Sequence, residues 1–224
     1  MTIRLYDEHN IHQLEVSLYQ QAHLSFLKEL VIHQPASYIE NVSAKMGLLQ
    51  VDHLFIPITI TCKAYTSSYV VSLYNQYITY AKEELGELNN QILEKILDQV
   101  LSAFGLVFKY GRLNQTVMVN NWLLSTNLYD DMKEEDLQLI TEYLMWKFPE
   151  HAILFRSVCQ SFFPGVYNGL VNQGYQPLLS RSINLFNAKS WGDLNKKQRK
   201  QLKNDSKLIT QSGKYEVRDI NDST

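Results

Sequence analysis

The sequence predicts an α/β (α+β) protein, a mixed, twisted β-sheet flanked by helices. Three patterns point there. The apolar run from Thr116 to Leu124 breaks into a small polar cluster, an acidic segment and a helix-period stretch follow, and Ala152–Ser157 is again apolar, which is how a strand–helix–strand unit reads. His53 to Cys62 is rich in Ile, Phe and Thr, as a buried strand is. Residues 90–104 carry the clearest helical periodicity in the chain.

In chain order, Ile11, Leu14, Leu18, Leu24, Leu27 and Leu30 give residues 11–31 one apolar helical face, ended by Pro35. Tyr38, Val42 and Met46, four apart, predict a short helix over 37–46. The strand at 53–62 contains Pro57, which cannot donate to a ladder and so predicts an edge strand or a bulge. Ser68 to Ser72 reads as a further strand, and Tyr77, Tyr80 and Ala81 lead into Lys82-Glu83-Glu84, which reads as a solvated turn of helix. In 90–104, Ile92, Ile96 and Val100 form one stripe, with Leu93, Leu97, Leu101 and Phe104 beside it, and Gly105 reads as the stop. Val107–Lys109 and Thr116–Leu124 read as strands. Asp131 with Glu134 has capping-box spacing, opening a helix on Leu137, Ile140 and Leu144 that ends near Phe148-Pro149. Strand 152–158, helix 161–173, strand 178–186, a basic helix over 194–211 and a strand from Lys214 to Ile220 complete the series.

The chain has 224 residues, 45% of them apolar, so a sizeable core is available. A net charge of −2 calls globally for neither nucleic acid nor an anionic membrane. No apolar run approaches the roughly 20 residues of a membrane helix, and no signal-peptide pattern opens at Met1. Cys62 and Cys159 stand alone in apolar runs and read as small buried hydrophobes in a reducing compartment, so a cytoplasmic protein is expected. His9 and His12 lack a third ligand at metal spacing. Neither a nucleophile elbow nor a Gly-rich phosphate loop is present.

Three groups could carry chemistry. Asn120, Asn121, Ser125, Thr126 and Asn127 lie at a strand end, where amides and hydroxyls can orient a carbonyl or a peptide; the same residues also serve as turn-closing caps. Arg156 interrupts an apolar strand, and fits either a bound carboxylate or phosphate or an internal pair. Lys196, Lys197, Arg199, Lys200, Lys203 and Lys207 against Asp193 and Asp205 make the stretch 191–207 +4, leaving −6 for the remainder. Four of these lysines form a stripe without the interleaved aromatics of single-strand binders, which favours a solvated face or an acidic partner surface over nucleic acid.

The run Val119 to Asn127, the later Ile153-Leu154-Phe155-Arg156-Ser157, and Gly174-Tyr175 leading to Ser180-Arg181 resemble GNAT-like acyltransferases, closest to bacterial proteins of Fem-type or tandem-GNAT arrangement. Tyr69 to Glu84 and Asn195 to Lys207 fit the same likeness, which extends from about residue 38 to the end. The resemblance implies a GNAT-like domain over 1–190, with 191–224 opening a second GNAT-like half. It implies transfer of an acyl or aminoacyl group to an amine on a small molecule or peptide. Asn121, Ser125, Thr126, Asn127 and Arg156 would then orient the acceptor. In that family a glycine-containing loop opening a helix holds the donor's pyrophosphate on backbone amides. The corresponding place here, Leu128 to Glu135, has no glycine and four acids, so this half is expected to bind no acyl-CoA and to serve as scaffold or acceptor platform. A homodimer or a separate second half would complete it; a non-catalytic binding or assembly domain is the alternative.

Overall fold

In the computed structural model, residues 2–14, 21–180 and 195–212 are described. The chain divides into two units, Met1–Ser180 and Arg181–Thr224. The first holds a five-stranded mixed sheet in sequence order: β1 (Ile3–Tyr6), β2 (Lys45–Val51), β3 (Leu54–Thr61), β4 (Thr116–Val119) and β5 (Ala152–Phe155). Neighbours are antiparallel except β4 and β5, which run parallel with Val119 beside Phe155. Its helices are α1 (Gln21–His33), α2 (Tyr80–Glu84), α3 (Gln91–Tyr110), α4 (Glu134–Lys147) and α5 (Pro164–Asn172); α6 (Lys196–Ser212) belongs to the second unit.

Strand alternation sends side chains to two cores. Leu49, Val51, Ile56, Ile58, Val117 and Val119 meet Leu137, Ile140 and Leu144 of α4 and Val166 and Leu170 of α5. On the other face Tyr6, Met46, Leu48 and Phe55 meet Leu24, Leu27, Leu30 and Val31 of α1. Helices therefore cover both faces, and the strand–helix–strand unit expected over 116–158 is β4–α4–β5. The stripe expected for α4 is fully buried.

Several elements differ from expectation. β1 and β2 are strands that the sequence reading did not single out, and the helix expected over 37–46 does not form: a 3-10 turn at Pro35–Ser37 precedes it and β2 begins at Lys45. Lys45–Val51 is apolar on both pleat faces because helices lie on both sides, so it lacks the alternation that marks a strand. Residues 11–31 split into a 3-10 turn, Ile11–Gln13, and α1, with 15–20 outside the described residues. β4 ends at Val119 and β5 at Phe155, both shorter than expected. Leu178–Ser180 carry no strand; 181–186 and 214–220 lie outside the described residues.

Pro57 sits in the central β3, at a bulge and not on an edge strand. Its carbonyl accepts from Asn121 N–H (2.9 Å), although Ile58 pairs with Val119, so Asn120 is an extra residue at φ 56°. In extended backbone a residue's nitrogen and carbonyl face the same side. The missing donor of Pro57 thus lies where β4 departs, and its pairing with Leu48 of β2 loses nothing.

Residues 68–72 are a turn, not a strand. Val70 and Val71 are buried, but their segment is tied by side chains. Asn121 donates to Val70 O (2.9 Å); Asn114 donates to Lys63 O and accepts from Tyr74 N (2.9 Å). Asn75 donates to Ser67 O, and a π-helical turn over Asn75–Thr79 then leads into α2. α3 runs through Gly105 to Tyr110, so the strand expected over 107–109 is its last turn. Gly105 is a contact, not a stop: a Cβ there would lie 3.1 Å from Tyr74 Oη and 3.4 Å from Ile78 Cγ2. Asn90 Oδ1 caps α3, accepting from Ile92 N (3.2 Å) and Leu93 N (3.1 Å).

The close approach at Gly105 predicts that Gly105→Val costs about 2 kcal/mol, because two branches must enter the space Tyr74 fills. Gly86, with open space around it, should accept alanine neutrally or with a gain of about 0.5 kcal/mol. Urea midpoints of the two variants, compared at equal slope, measure the difference.

Candidate functional site

The parallel pair brings the C-terminal ends of β4 and β5 side by side, where ligand sites of α/β sheets form. Backbone strain concentrates there. Of eight non-glycine residues with positive φ among the described residues, Asn120 (56°), Leu123 (61°) and Ser157 (65°) stand at these two ends. Asparagine tolerates the left-handed region; leucine there costs about 1 kcal/mol, so the surrounding contacts must enforce it.

Those contacts are side-chain amides. Asn121 is fully buried. Its Nδ2 donates to Thr59 Oγ1 (2.8 Å) and Val70 O (2.9 Å), and its Oδ1 accepts from Leu123 N (3.1 Å) and Arg156 Nη1 (3.4 Å). The Leu123 bond closes an Asx turn that holds leucine in its left-handed conformation. Asn120 donates to Leu128 O (2.7 Å) and accepts from Trp122 Nε1 (2.9 Å), joining the two ends of the loop. Asn127, also buried, accepts from Trp122 N (3.2 Å) and donates to Ser157 Oγ (3.3 Å). Arg156 Nη1 donates to Leu124 O (2.6 Å), and Tyr129 Oη donates to Arg156 O (2.6 Å). Burial pushes the Tyr129 hydroxyl's pKa well above its ordinary value.

The residues singled out from the sequence are therefore brought together, in two layers. Asn121, Asn127 and Arg156 form an internal brace between the ends of β4 and β5. Leu124, Ser125 and Thr126 stand exposed at the tip of the braced loop. Sequence reading missed Trp122, Tyr129 and Ser157 as parts of the brace. The tryptophan and tyrosine sit among polar neighbours, where a polar handle on a large ring is the available signal.

The approach to α4 carries the acids. Glu134, Glu135 and Asp136 fill its first turn, and Asp136 Oδ2 accepts from Lys133 N (2.9 Å). The helix opens two residues after the expected cap Asp131, because Met132 is drawn into the core with Leu137, a staple across the first turn. α5 closes over this turn: Gln173 Nε2 donates to Glu134 O (3.2 Å), and Asn172 Nδ2 to Glu134 Oε1 (3.3 Å). Carboxylates and a neighbouring helix thus surround the α4 N-terminus, where an anion would otherwise dock.

The opposite end of the sheet holds a second pair. Thr61, Thr116 and Ala152 lie in one row, which brings Cys62 and His151 together at Sγ···Nε2 3.5 Å. Cys62 is exposed and Cys159 half-buried, so neither is the buried hydrophobe expected. The Nδ1 of His151 is buried without a partner. Desolvation lowers the imidazole pKa below 6.5, with Glu150 opposing it. In the second unit, Asn195 and Gln198 form a reciprocal capping box (Asn195 Oδ1 from Gln198 N, 2.9 Å; Gln198 Oε1 from Asn195 N, 3.0 Å), and the lysine stripe of α6 is exposed. Among the described residues no cluster of three or more His, Cys, Asp or Glu is placed to hold a metal, and no helix is long and apolar enough to cross a membrane.

Replacing Asn121 with alanine strands the Val70 carbonyl and the Leu123 N–H, and should cost about 3 kcal/mol in urea unfolding; Ser125→Ala and Thr126→Ala should each stay below about 1 kcal/mol. For His151 the folded state holds its proton less tightly than the unfolded chain. Its contribution is therefore complete above the unfolded value of 6.5 and is lost as pH falls through that value toward the lower folded one. Thermal midpoints taken between about pH 8 and pH 5 should fall less steeply for His151→Gln than for the unaltered chain. No protein-family model, no curated protein and no solved structure matches the chain.

Proposed function

We propose that this chain is a GNAT-like N-acyltransferase-family protein whose 2–180 unit serves as scaffold or acceptor platform, the acyl or aminoacyl donor being held by a separate GNAT-like unit. The observation that carries this reading is the occupied α4 N-terminus. A donor diphosphate needs free backbone amides and a positive potential at the loop between β4 and α4. Here Glu134, Glu135 and Asp136 make the potential negative, Asp136 takes the Lys133 amide, and α5 leans on the first turn. A mixed sheet with helices on both faces and a β4–loop–α4–β5 unit is the architecture that the resemblance implies, which supports membership without identifying the donor or acceptor.

In this reading the amine acceptor lies along the braced loop, against Leu124, Ser125 and Thr126. The tip's hydroxyls orient it and the internal brace keeps the tip from collapsing. The reaction itself would be attack of the acceptor's amine on the donor's activated acyl carbon, the amide forming as the bond to the donor's carrier breaks and the carrier leaves with the amine's proton, without a covalent intermediate on this chain. A second reading, a non-catalytic assembly domain, is favoured by Asn121, whose amide groups are all spent inside the protein.

Excess acetyl-CoA should leave the thermal midpoint unchanged. A ligand at 100 times its Kd adds about 2.7 kcal/mol, a shift of several degrees for a protein of this size, so a rise of that kind would return the donor to this unit and overturn the proposal. A lysine-containing peptide that raises the midpoint, with the rise abolished by Ser125→Ala plus Thr126→Ala, separates an acceptor platform from the assembly reading.

A further inference from the structure

α3 is apolar over a wider arc than the fold covers. One face, with Leu97, Leu101, Gly105 and Phe108, packs on the π-helical turn and α2: Gly105 lies against Tyr74, the Tyr77 and Phe108 rings are 6.4 Å apart, and Lys82 Nζ sits 2.8 Å from Asp98 Oδ1. The adjacent face carries Ile92, Ile96, Val100, Phe104, Val107 and Tyr110 at spacings of three and four, and all six are exposed, from 44% at Val100 to 94% at Tyr110. These residues lie on successive turns of one side of a 20-residue helix, with no charge among them.

We infer that this face is the self-association surface of the protein, with α3 packing antiparallel against α3 of a second copy. The area is right. At their fractional exposures these side chains present on the order of 800 Å², the share one partner brings to a standard interface and more than a monomer ordinarily leaves as one patch. The pattern is self-complementary, as a two-fold contact requires. An axis at Val100 sets Ile96 opposite the partner's Phe104 and Leu93 opposite the partner's Val107, so apolar meets apolar in the central layers. The charges argue against a lipid surface. Glu94 and Asp98 balance Lys95 and Lys109, leaving no cationic excess for an anionic bilayer.

The test is sedimentation equilibrium of the full chain between about 1 and 50 μM, with the double variant Ile96→Glu plus Val100→Glu alongside. The unaltered chain should be a dimer, and the variant should associate at least 100-fold more weakly with the same far-UV circular dichroism. Glutamate is a good helix former and both positions are solvent-facing in a single copy, so folding should be preserved. Val100→Cys supplies a second readout: a residue beside the two-fold axis should form a disulfide with itself across the dimer under mild oxidation. A monomer at about 50 μM, a dimer that survives the double variant, or capture of the unaltered chain on neutral phosphatidylcholine vesicles would overturn the inference.

Discussion

Three buried asparagines hold the architecture together where no strand is available. The segment between β3 and α2 runs from one end of β4 to the other without joining the sheet, yet its apolar side chains Val70 and Val71 are buried. Its peptide groups therefore leave water and need partners. Asn114, Asn121 and Asn75 supply them, each amide serving as a portable peptide group: toward Lys63 O and Tyr74 N, toward Val70 O, and toward Ser67 O. Because Asn114 precedes β4 and Asn121 follows it, one short strand is fixed at both ends to the same crossing segment. A side-chain amide that is fully satisfied inside a protein is costly to replace, since either partner left behind loses a bond that water cannot restore.

The same economy shapes the ends of β4 and β5. The polar residues that draw the eye in the sequence are mostly spent on the loop's own geometry. Asn121 holds Leu123 in a left-handed conformation, Asn120 joins the loop's two ends, Asn127 ties it to the Ser157 hydroxyl, and the Leu124–Thr126 tip is left outside. A tip held this way is presented in one shape, so a partner meeting it loses little conformational entropy in the encounter.

What could be read from the sequence followed local periodicity. α4 shows its stripe at Leu137, Ile140 and Leu144 because one face is buried and the other solvated; β3 shows because β-branched residues crowd it. β2 was illegible because both its faces are covered, which erases alternation. Residues 68–72 misled because burial looks alike whether backbone groups are tied by a strand or by asparagine. Gly105 was legible as a glycine but not as a contact, since Tyr74, 31 positions earlier in the chain, decides its role. The candidate site was visible as a cluster of types, whereas the division into an inner brace and an outer tip depends on partners such as Thr59 and Val70 that no local window contains.

The proline in β3 bears on how the sheet finds its alignment. With Asn120 bulged outward, the one ladder position that cannot donate falls where β4 has already turned away. Sliding β4 two residues along β3 would set one of its carbonyls against the pyrrolidine ring, with nothing to accept from. A shifted β3–β4 alignment is thus penalised although the two strands lie far apart in the chain, and imino-acid chemistry favours the native pairing.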